Sequence, residues 1–190
     1  GGAAQQTGVA QKWQEATGVE ILQGYGMTEV SGILTFNPPG HNRLGKVGVP
    51  VPGAVVRTVD DEGNDVPAGE PGEVIAKTPS MMMAYLDNPD ATAGVLKDGW
   101  YYSGDVGVMD EDGFLEIVDR KKDMILVSGF NVAPNEIEDV ISTLPGVVQV
   151  GVVGIQHEKT GEAPVAFVVR SDDSLTEEAI LEACRAQLTN

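Results

Sequence analysis

Asp119-Arg120-Lys121-Lys122-Asp123 runs directly into the apolar stretch Met124-Ile125-Leu126-Val127 and then into Ser128-Gly129-Phe130-Asn131. It holds the only run of three cations in an acidic chain. Upstream, the chain is patterned as short strands separated by Gly/Asp turns. Downstream, it becomes a compact alternation of strands and helices. A charged, flexible segment between two differently patterned halves is where a hinge is expected. A solvated basic turn would have the same composition, so the flanking sequence must decide between the two.

Working upstream, Phe114–Val118 and Val106–Met109 read as strands flanking the turn Asp110-Glu111-Asp112-Gly113. Glu73–Lys77 and Val55–Val59 read as two more, with Asp60-Asp61-Glu62-Gly63-Asn64-Asp65 as their turn. Four short strands with such turns suggest a small distorted barrel or an open antiparallel sheet. Neither acidic turn has the alternating ligands, sixth-position glycine and closing Glu of an EF-hand. Residues 37–53 are rich in Pro and Gly and mark a boundary. Before them, Val19–Leu22 reads as a short strand entering the loop Gly24-Tyr25-Gly26-Met27-Thr28-Glu29. Residues 3–17 are helix-compatible, and Gly18 is a suitable stop.

Downstream, Pro134 suits a first helical turn, with Glu136 and Glu138 near its positive end. Ile137, Val140, Ile141 and Leu144 keep a helical period until Pro145-Gly146. Val147–Ile155 reads as a buried strand and Pro164–Val169 as another. Thr176 is a good N-cap for a final helix, with Leu175 placed to staple against Ile180. The predicted organisation is therefore residues 1–40, 41–119 and 120–190, with a hinge near 119–123.

The net charge of −17 over 190 residues argues against a nucleic-acid partner, whose phosphates need a broad cationic surface. A bound phosphate would be held locally, by backbone N–H groups or by the few cations present. The single Cys184 excludes a disulfide framework and a thiolate metal cluster and suits a reducing compartment. His41 and His157 have no nearby ligand partners. The sequence contains no apolar run approaching the ~20 residues of a membrane helix.

Two segments carry candidate chemistry. In Gly24–Glu29 the glycines permit close backbone approach, Tyr25 offers a flat face, Thr28 a hydroxyl for a phosphate oxygen, and Glu29 hard oxygens for Mg²⁺. A tight turn with a half-buried Tyr would also fit. In Trp100-Tyr101-Tyr102-Ser103-Gly104-Asp105, a carboxylate after a small-residue turn can accept both hydroxyls of a ribose. Asp105 as a turn cap and Trp100 as core is the competing reading. Arg120 follows Asp105 by fifteen residues and suits a ribose or phosphate contact. Met81-Met82-Met83 with Tyr85 could face an acyl group or fill core.

Taken together, Gly24-Tyr25-Gly26-Met27-Thr28-Glu29, Tyr102-Ser103-Gly104-Asp105 and Asp119–Asn131 occur in the order and spacing of the acyl-adenylating, AMP-binding superfamily. That superfamily includes acyl-CoA synthetases, luciferases and peptide-synthetase adenylation domains. The run Asp119–Val132 with Pro134-Asn135-Glu136-Ile137-Glu138 most resembles the bacterial long-chain fatty acyl-CoA ligases, and the likeness spans nearly the whole chain.

The resemblance implies an α/β and α+β fold. It would comprise the end of a large adenylate-forming N-terminal domain, with a βα unit and a small distorted β-barrel. A small mobile α+β C-terminal domain, with a short sheet and helices, would follow. It implies ATP/AMP, Mg²⁺ and coenzyme A as cofactors and a fatty acid as substrate. Tyr25 would stack on adenine, Thr28 would contact the α-phosphate, Glu29 would hold Mg²⁺, and Asp105 with Arg120 would take the ribose. Gly24, Gly26 and Met27 complete that loop. Gly1, Gly2 and Ala3 match a loop lining the adenylate pocket. Lys122 matches the hinge position. Ser128, Gly129 and Phe130 would help form the pantetheine channel, and Glu136 would begin the helix after it.

The family's phosphate loop is expected upstream of Gly1 and its adenylation lysine beyond Asn190, so the 190 residues alone are expected to lack ligase activity. A medium-chain or aryl acid ligase, transfer of acyl-AMP to a carrier protein, and a non-catalytic nucleotide-binding module remain open. The expected location is cytoplasmic, with peripheral contact at the inner membrane face open. Exposed apolar surface could be buried in a homodimer.

Overall fold

The computed structural model describes residues 5, 7–171 and 174–188. The chain divides into two compact units. The first is Leu22–Lys121; the second holds the described residues of 4–21 and 122–190. Among the described residues no helix is long and apolar enough to cross a membrane.

The chain enters on α1 (Thr7–Thr17), closed by Gly18 at φ +70° with its N–H on the Gln14 carbonyl. Left-handed backbone of this kind is the stop that glycine makes inexpensive. This helix belongs to the second unit, whereas the sequence groups residues 1–40 together. Val19–Leu22, predicted as a strand, is irregular chain with Val19 largely exposed. An apolar run becomes a strand only beside a partner, and here no ladder forms.

The first unit begins with β1 (Gly24–Met27), a 3₁₀ turn (Thr28–Val30), β2 (Gly32–Phe36) and β3 (Val49–Pro50). These strands form one antiparallel sheet in the order β1-β2-β3. Gly24–Met27, predicted as a loop, is thus a paired strand. Its glycines allow the pairing, since a Cβ on Gly26 would sit 1.8 Å from the Gly32 carbonyl oxygen. Residues 37–53 lie within the first unit, run from β2 through β3 toward the next sheet, and form a loop over 37–48. Buried Asn37 anchors it, donating Nδ2–H to the Lys46 carbonyl at 2.5 Å and accepting from the Arg43 N–H at 3.1 Å.

A second, five-stranded sheet follows, made of β4 (Val55–Val59), β5 (Pro71–Lys77), β6 (Leu96–Lys97), β7 (Trp100–Met109) and β8 (Leu115–Arg120). Its order is β4-β5-β7-β6, with β8 also on β7, all antiparallel. The long β7 therefore takes β5 along one side and β6 then β8 along the other. The predicted strands are all present, with β7 and β8 extended toward the site residues.

The turns are as their residues dictate. Asp60 Oδ1 accepts from Glu62 and Asn64 N–H, and Asp110 Oδ1 from Asp112 and Phe114 N–H. These bonds favour the charged carboxylate and pull both acids below their ordinary pKa, with the Arg43 charge assisting at Asp110. The two sheets are stitched where Val47 N–H donates to the Leu115 carbonyl and Leu115 N–H to that of Gly48. Val30, Leu34, Val56, Val74, Ala76, Tyr101 and Leu115 are buried between them. The short helix α2 (Pro89–Val95), which the sequence reading missed, is capped by Asn88 Oδ1 on the Ala91 N–H.

The second unit carries β9 (Ile125–Val127), β10 (Phe130–Val132), α3 (Pro134–Ser142), β11 (Val147–His157), β12 (Gly161–Arg170) and α4 (Glu177–Gln187). Its sheet order is β10-β9-β12-β11. Pro134 opens α3 and Thr176 caps α4, as the sequence indicates. Leu175 is buried. The helix α1 packs here: Ala10 is buried, and Gly8 lies so close to α3 that a Cβ would meet the Ser142 carbonyl at 3.2 Å.

The strand β11, predicted as buried, is covered on one face only. Val152 and Ile125 are inside, and Glu138 of α3 accepts from the Val152 N–H at 2.8 Å. Val153, Ile155, Phe167 and Val169 share the other face by register and remain about half exposed. A mostly apolar strand pattern cannot tell one covered face from two.

Candidate nucleotide site

The hairpin β7–β8 explains the fifteen-residue spacing of Asp105 and Arg120. They are directly opposed in the ladder. Between Glu73 and Ile75 the β5 register slips by two residues against β7, so Ser103-Gly104-Asp105 bulges out of the ladder. Gly104 takes φ +70° there. Ser103 pins the bulge, its Oγ donating to the Val74 carbonyl at 2.6 Å and accepting from the Asp105 N–H at 3.1 Å. A bulge re-aims one side chain without ending the strand. The predicted small-residue turn before Asp105 is this bulge.

Asp105 is buried to 6% exposure. Tyr25, arriving from β1, donates its hydroxyl to Asp105 Oδ2 at 2.5 Å. Arg120 places Nε 3.1 Å from Oδ1, with its own side chain 59% exposed. A carboxylate has about four lone-pair sites. Two are thus occupied by a phenol and a guanidinium, and two remain for further donors. The Tyr25 phenol is held far above its ordinary pKa, chiefly by burial and then by the Asp105 charge, so it stays protonated as a donor.

Thr28 and Glu29 lie in the 3₁₀ turn after β1, with Thr28 exposed and Glu29 half-buried. Glu29 Oε1 accepts from the Tyr85 hydroxyl at 2.8 Å. Tyr85 was not foreseen there, because nothing in the local pattern links residues 56 positions apart. Tyr101, 5% exposed, is pushed well above its ordinary pKa by burial first and by the nearby Glu29 charge second. Of the methionines considered for an acyl contact, Met81 and Met82 pack on the core, whereas Met83 is almost fully exposed. Among the described residues no group of three or more His, Cys, Asp or Glu could hold a metal. Glu29 as a lone carboxylate still fits Mg²⁺, which takes one or two protein carboxylates and keeps waters and substrate phosphates.

The first unit therefore brings Tyr25, Asp105 and Arg120 into one bonded chain, with Thr28 and Glu29 on the turn that continues Tyr25's strand. Met27 packs its side chain on the core. Gly24 and Gly26 lie against β2, where added methyls would meet Phe36 and Gly32 rather than open space. In the second unit, Lys122 is exposed and opens the chain segment after the division. Ser128, at φ +51°, and Gly129, at φ +88°, form the turn between β9 and β10, and Phe130 is 75% exposed. Glu136 lies in the first turn of α3. Gly1, Gly2 and Ala3 lie outside the described residues.

Residues 1–86 match the AMP-binding enzyme family, and residues 136–190 match the AMP-binding enzyme C-terminal domain. The chain belongs to the AMP-binding enzyme family. Over its full length it is 51% identical to a long-chain-fatty-acid–CoA ligase of Escherichia coli O6:H1 and 53% identical to one of Yersinia pestis. It covers 34% of each, so it spans about a third of the length of these curated relatives.

Its fold superposes on ATP-bound MatB from Rhodopseudomonas palustris with a TM-score of 0.90 at 36% identity, covering 97% of this chain and 37% of that one. As an AMP-binding enzyme, the chain has the mixed α/β architecture and curled sheet of the adenylate-forming enzymes, as its resemblance implies.

Proposed function

We propose that the chain supplies the adenosine-facing strands and part of the mobile C-terminal domain of an ATP-dependent long-chain fatty acid–CoA ligase. The observation that carries this reading is the bonded chain Tyr25–Asp105–Arg120, which leaves one buried carboxylate with two acceptor positions. Adjacent ribose hydroxyls are the donors that such a pair suits. The adenine would lie on the Tyr25 ring. The Thr28 hydroxyl would donate to an α-phosphate oxygen, where charge builds in the transition state. Glu29 would hold Mg²⁺, which supplies positive charge to the phosphates.

In the first step the fatty carboxylate attacks the α-phosphorus and pyrophosphate leaves, giving acyl-AMP. In the second, the coenzyme A thiol loses its proton and attacks the acyl carbon, and AMP leaves. Residues 120–190 would turn about Lys122 between the steps, bringing Ser128-Gly129-Phe130 to the pantetheine. The exposure of Lys122 in a charged turn supports that role, because a pivot must stay solvated in both poses. Similarity to long-chain-fatty-acid–CoA ligases supports the choice of acid and of thiol. A cytoplasmic enzyme in peripheral contact with the inner membrane face would meet its substrate directly.

The test uses the full-length protein. Pyrophosphate release should depend on acyl chain length and peak with long-chain acids. Asp105→Ala should raise the KM for ATP roughly 10-fold or more, the size of a lost charged hydrogen bond. It should also erase the preference for ATP over 2′-deoxy-ATP. A variant that keeps that preference refutes the ribose assignment. A maximum on aryl or medium-chain acids refutes the substrate assignment.

A further inference from the structure

The segment that follows β5 is fastened onto the turn carrying Glu29. The Met82 N–H donates to the Glu29 carbonyl at 2.6 Å. Ser31 Oγ donates to the Ser80 carbonyl, and Ser80 Oγ donates back to the Val30 carbonyl, each at 2.8 Å. Tyr85 completes the series with its hydroxyl on Glu29 Oε1. Glu29 is thus gripped at both its backbone and its carboxylate by residues 82–85.

Tyr85 is fixed in turn. Its N–H donates to Thr92 Oγ1 at 3.0 Å, and Thr92 Oγ1 donates to the Asn88 carbonyl at 2.9 Å, within the capped start of α2. The neighbours Met83 and Leu86 are more than nine-tenths exposed, whereas Met82 packs on the core. Beside it, the Tyr85 phenol is turned onto Glu29.

We propose that Tyr85 is a positioning residue for Glu29, holding Oε1 through its hydroxyl so that Oε2 is left for the divalent cation that travels with the nucleotide's phosphates. The proposal rests on the reading of Glu29 as the Mg²⁺ ligand. The donor is neutral and leaves the carboxylate's charge intact. An ordinary phenol is protonated at physiological pH, so Tyr85 is a donor there. A glutamate already held in one rotamer loses less side-chain entropy on taking the metal. Outer partners of this kind commonly change metal affinity 10- to 100-fold.

The test measures binding rather than turnover, by calorimetry on the full-length protein with ATP plus MgCl₂, ATP plus EDTA, and AMP. Tyr85→Phe should weaken Mg²⁺-dependent ATP binding about 10-fold, leave AMP binding and the melting temperature within error, and add nothing in a Glu29→Gln background. Equal loss for AMP and ATP, or an undiminished effect in that background, would show a merely structural role and overturn the proposal. No effect of Tyr85→Phe, with Glu29→Gln still weakening Mg²⁺-dependent binding, overturns it while sparing the reading of Glu29. No effect of Glu29→Gln itself overturns both.

Discussion

Gly26→Ala separates two explanations of a glycine in the nucleotide loop. One holds that the small residue lets a ligand approach; the other, that it lets β1 pair with β2. The new methyl would lie 1.8 Å from the Gly32 carbonyl oxygen and 2.7 Å from the Ile33 Cα, where real contacts do not fall below 3.0 Å. Both are backbone atoms, so no side chain can swing away. The strands must part locally by about 1.2 Å, the difference between 3.0 and 1.8 Å. An N–H···O bond of ~2.9 Å stretched that far is no longer a bond. Losing two such bonds at about 1 kcal/mol each, with overpacking of about 1–3 kcal/mol, gives a destabilisation of about 3–5 kcal/mol.

The two tryptophans allow the units to be followed apart, because Trp100 lies in β7 and Trp13 in α1. In a Trp13→Phe background, urea unfolding followed by fluorescence reports the first unit. With an m-value of about 1.5–2 kcal/mol/M, the midpoint should fall by about 1.5–3 M. Gly32→Ala is the control, since its added methyl meets open space and only the φ of +125° is strained. Its cost should be smaller, about 1 kcal/mol. A Gly26→Ala protein with an unchanged midpoint and lost AMP binding would refute the packing argument and restore the ligand one.

Two further outcomes test other parts of the structure. Tyr25 and Tyr101 are both raised above the ordinary tyrosine pKa of 10.0. The stability they contribute is therefore complete below pH 10 and is lost as pH rises, because the unfolded chain releases their protons first. Tyr25→Phe should reduce the loss of stability between pH 9 and 11 by about 1.4 kcal/mol in total, read from urea midpoints at the two ends; an unchanged loss contradicts the burial of that phenol. Thr176→Ala removes the acceptor of the Ala179 N–H and should destabilise α4 by about 0.5–1 kcal/mol, visible as faster amide exchange in residues 178–180. Unaltered exchange would mean that the cap is idle.

The sequence by itself determined what a few neighbouring residues can settle. Asp60 and Asp110 close their turns on N–H groups two and four residues on. Gly18 stops α1, Pro134 starts α3, and Thr176 caps α4. The spacing of Asp105 and Arg120 follows from one hairpin, and the motif order carried the family. These are bonds within a turn or a hairpin, whose cost in chain entropy is small and whose residue preferences are strong.

Only the tertiary structure decided the rest. Tyr25 meets Asp105 across 80 residues and Tyr85 meets Glu29 across 56, and no local preference encodes either distance. Gly24–Met27 is a strand because β2 lies beside it, and Val19–Leu22 is not one because no ladder forms there. β11 is mostly apolar yet covered on one face, because coverage depends on where α3 packs. Strand pairing and burial are set by which distant segments share the core, so they emerge only once the whole chain has chosen its partners.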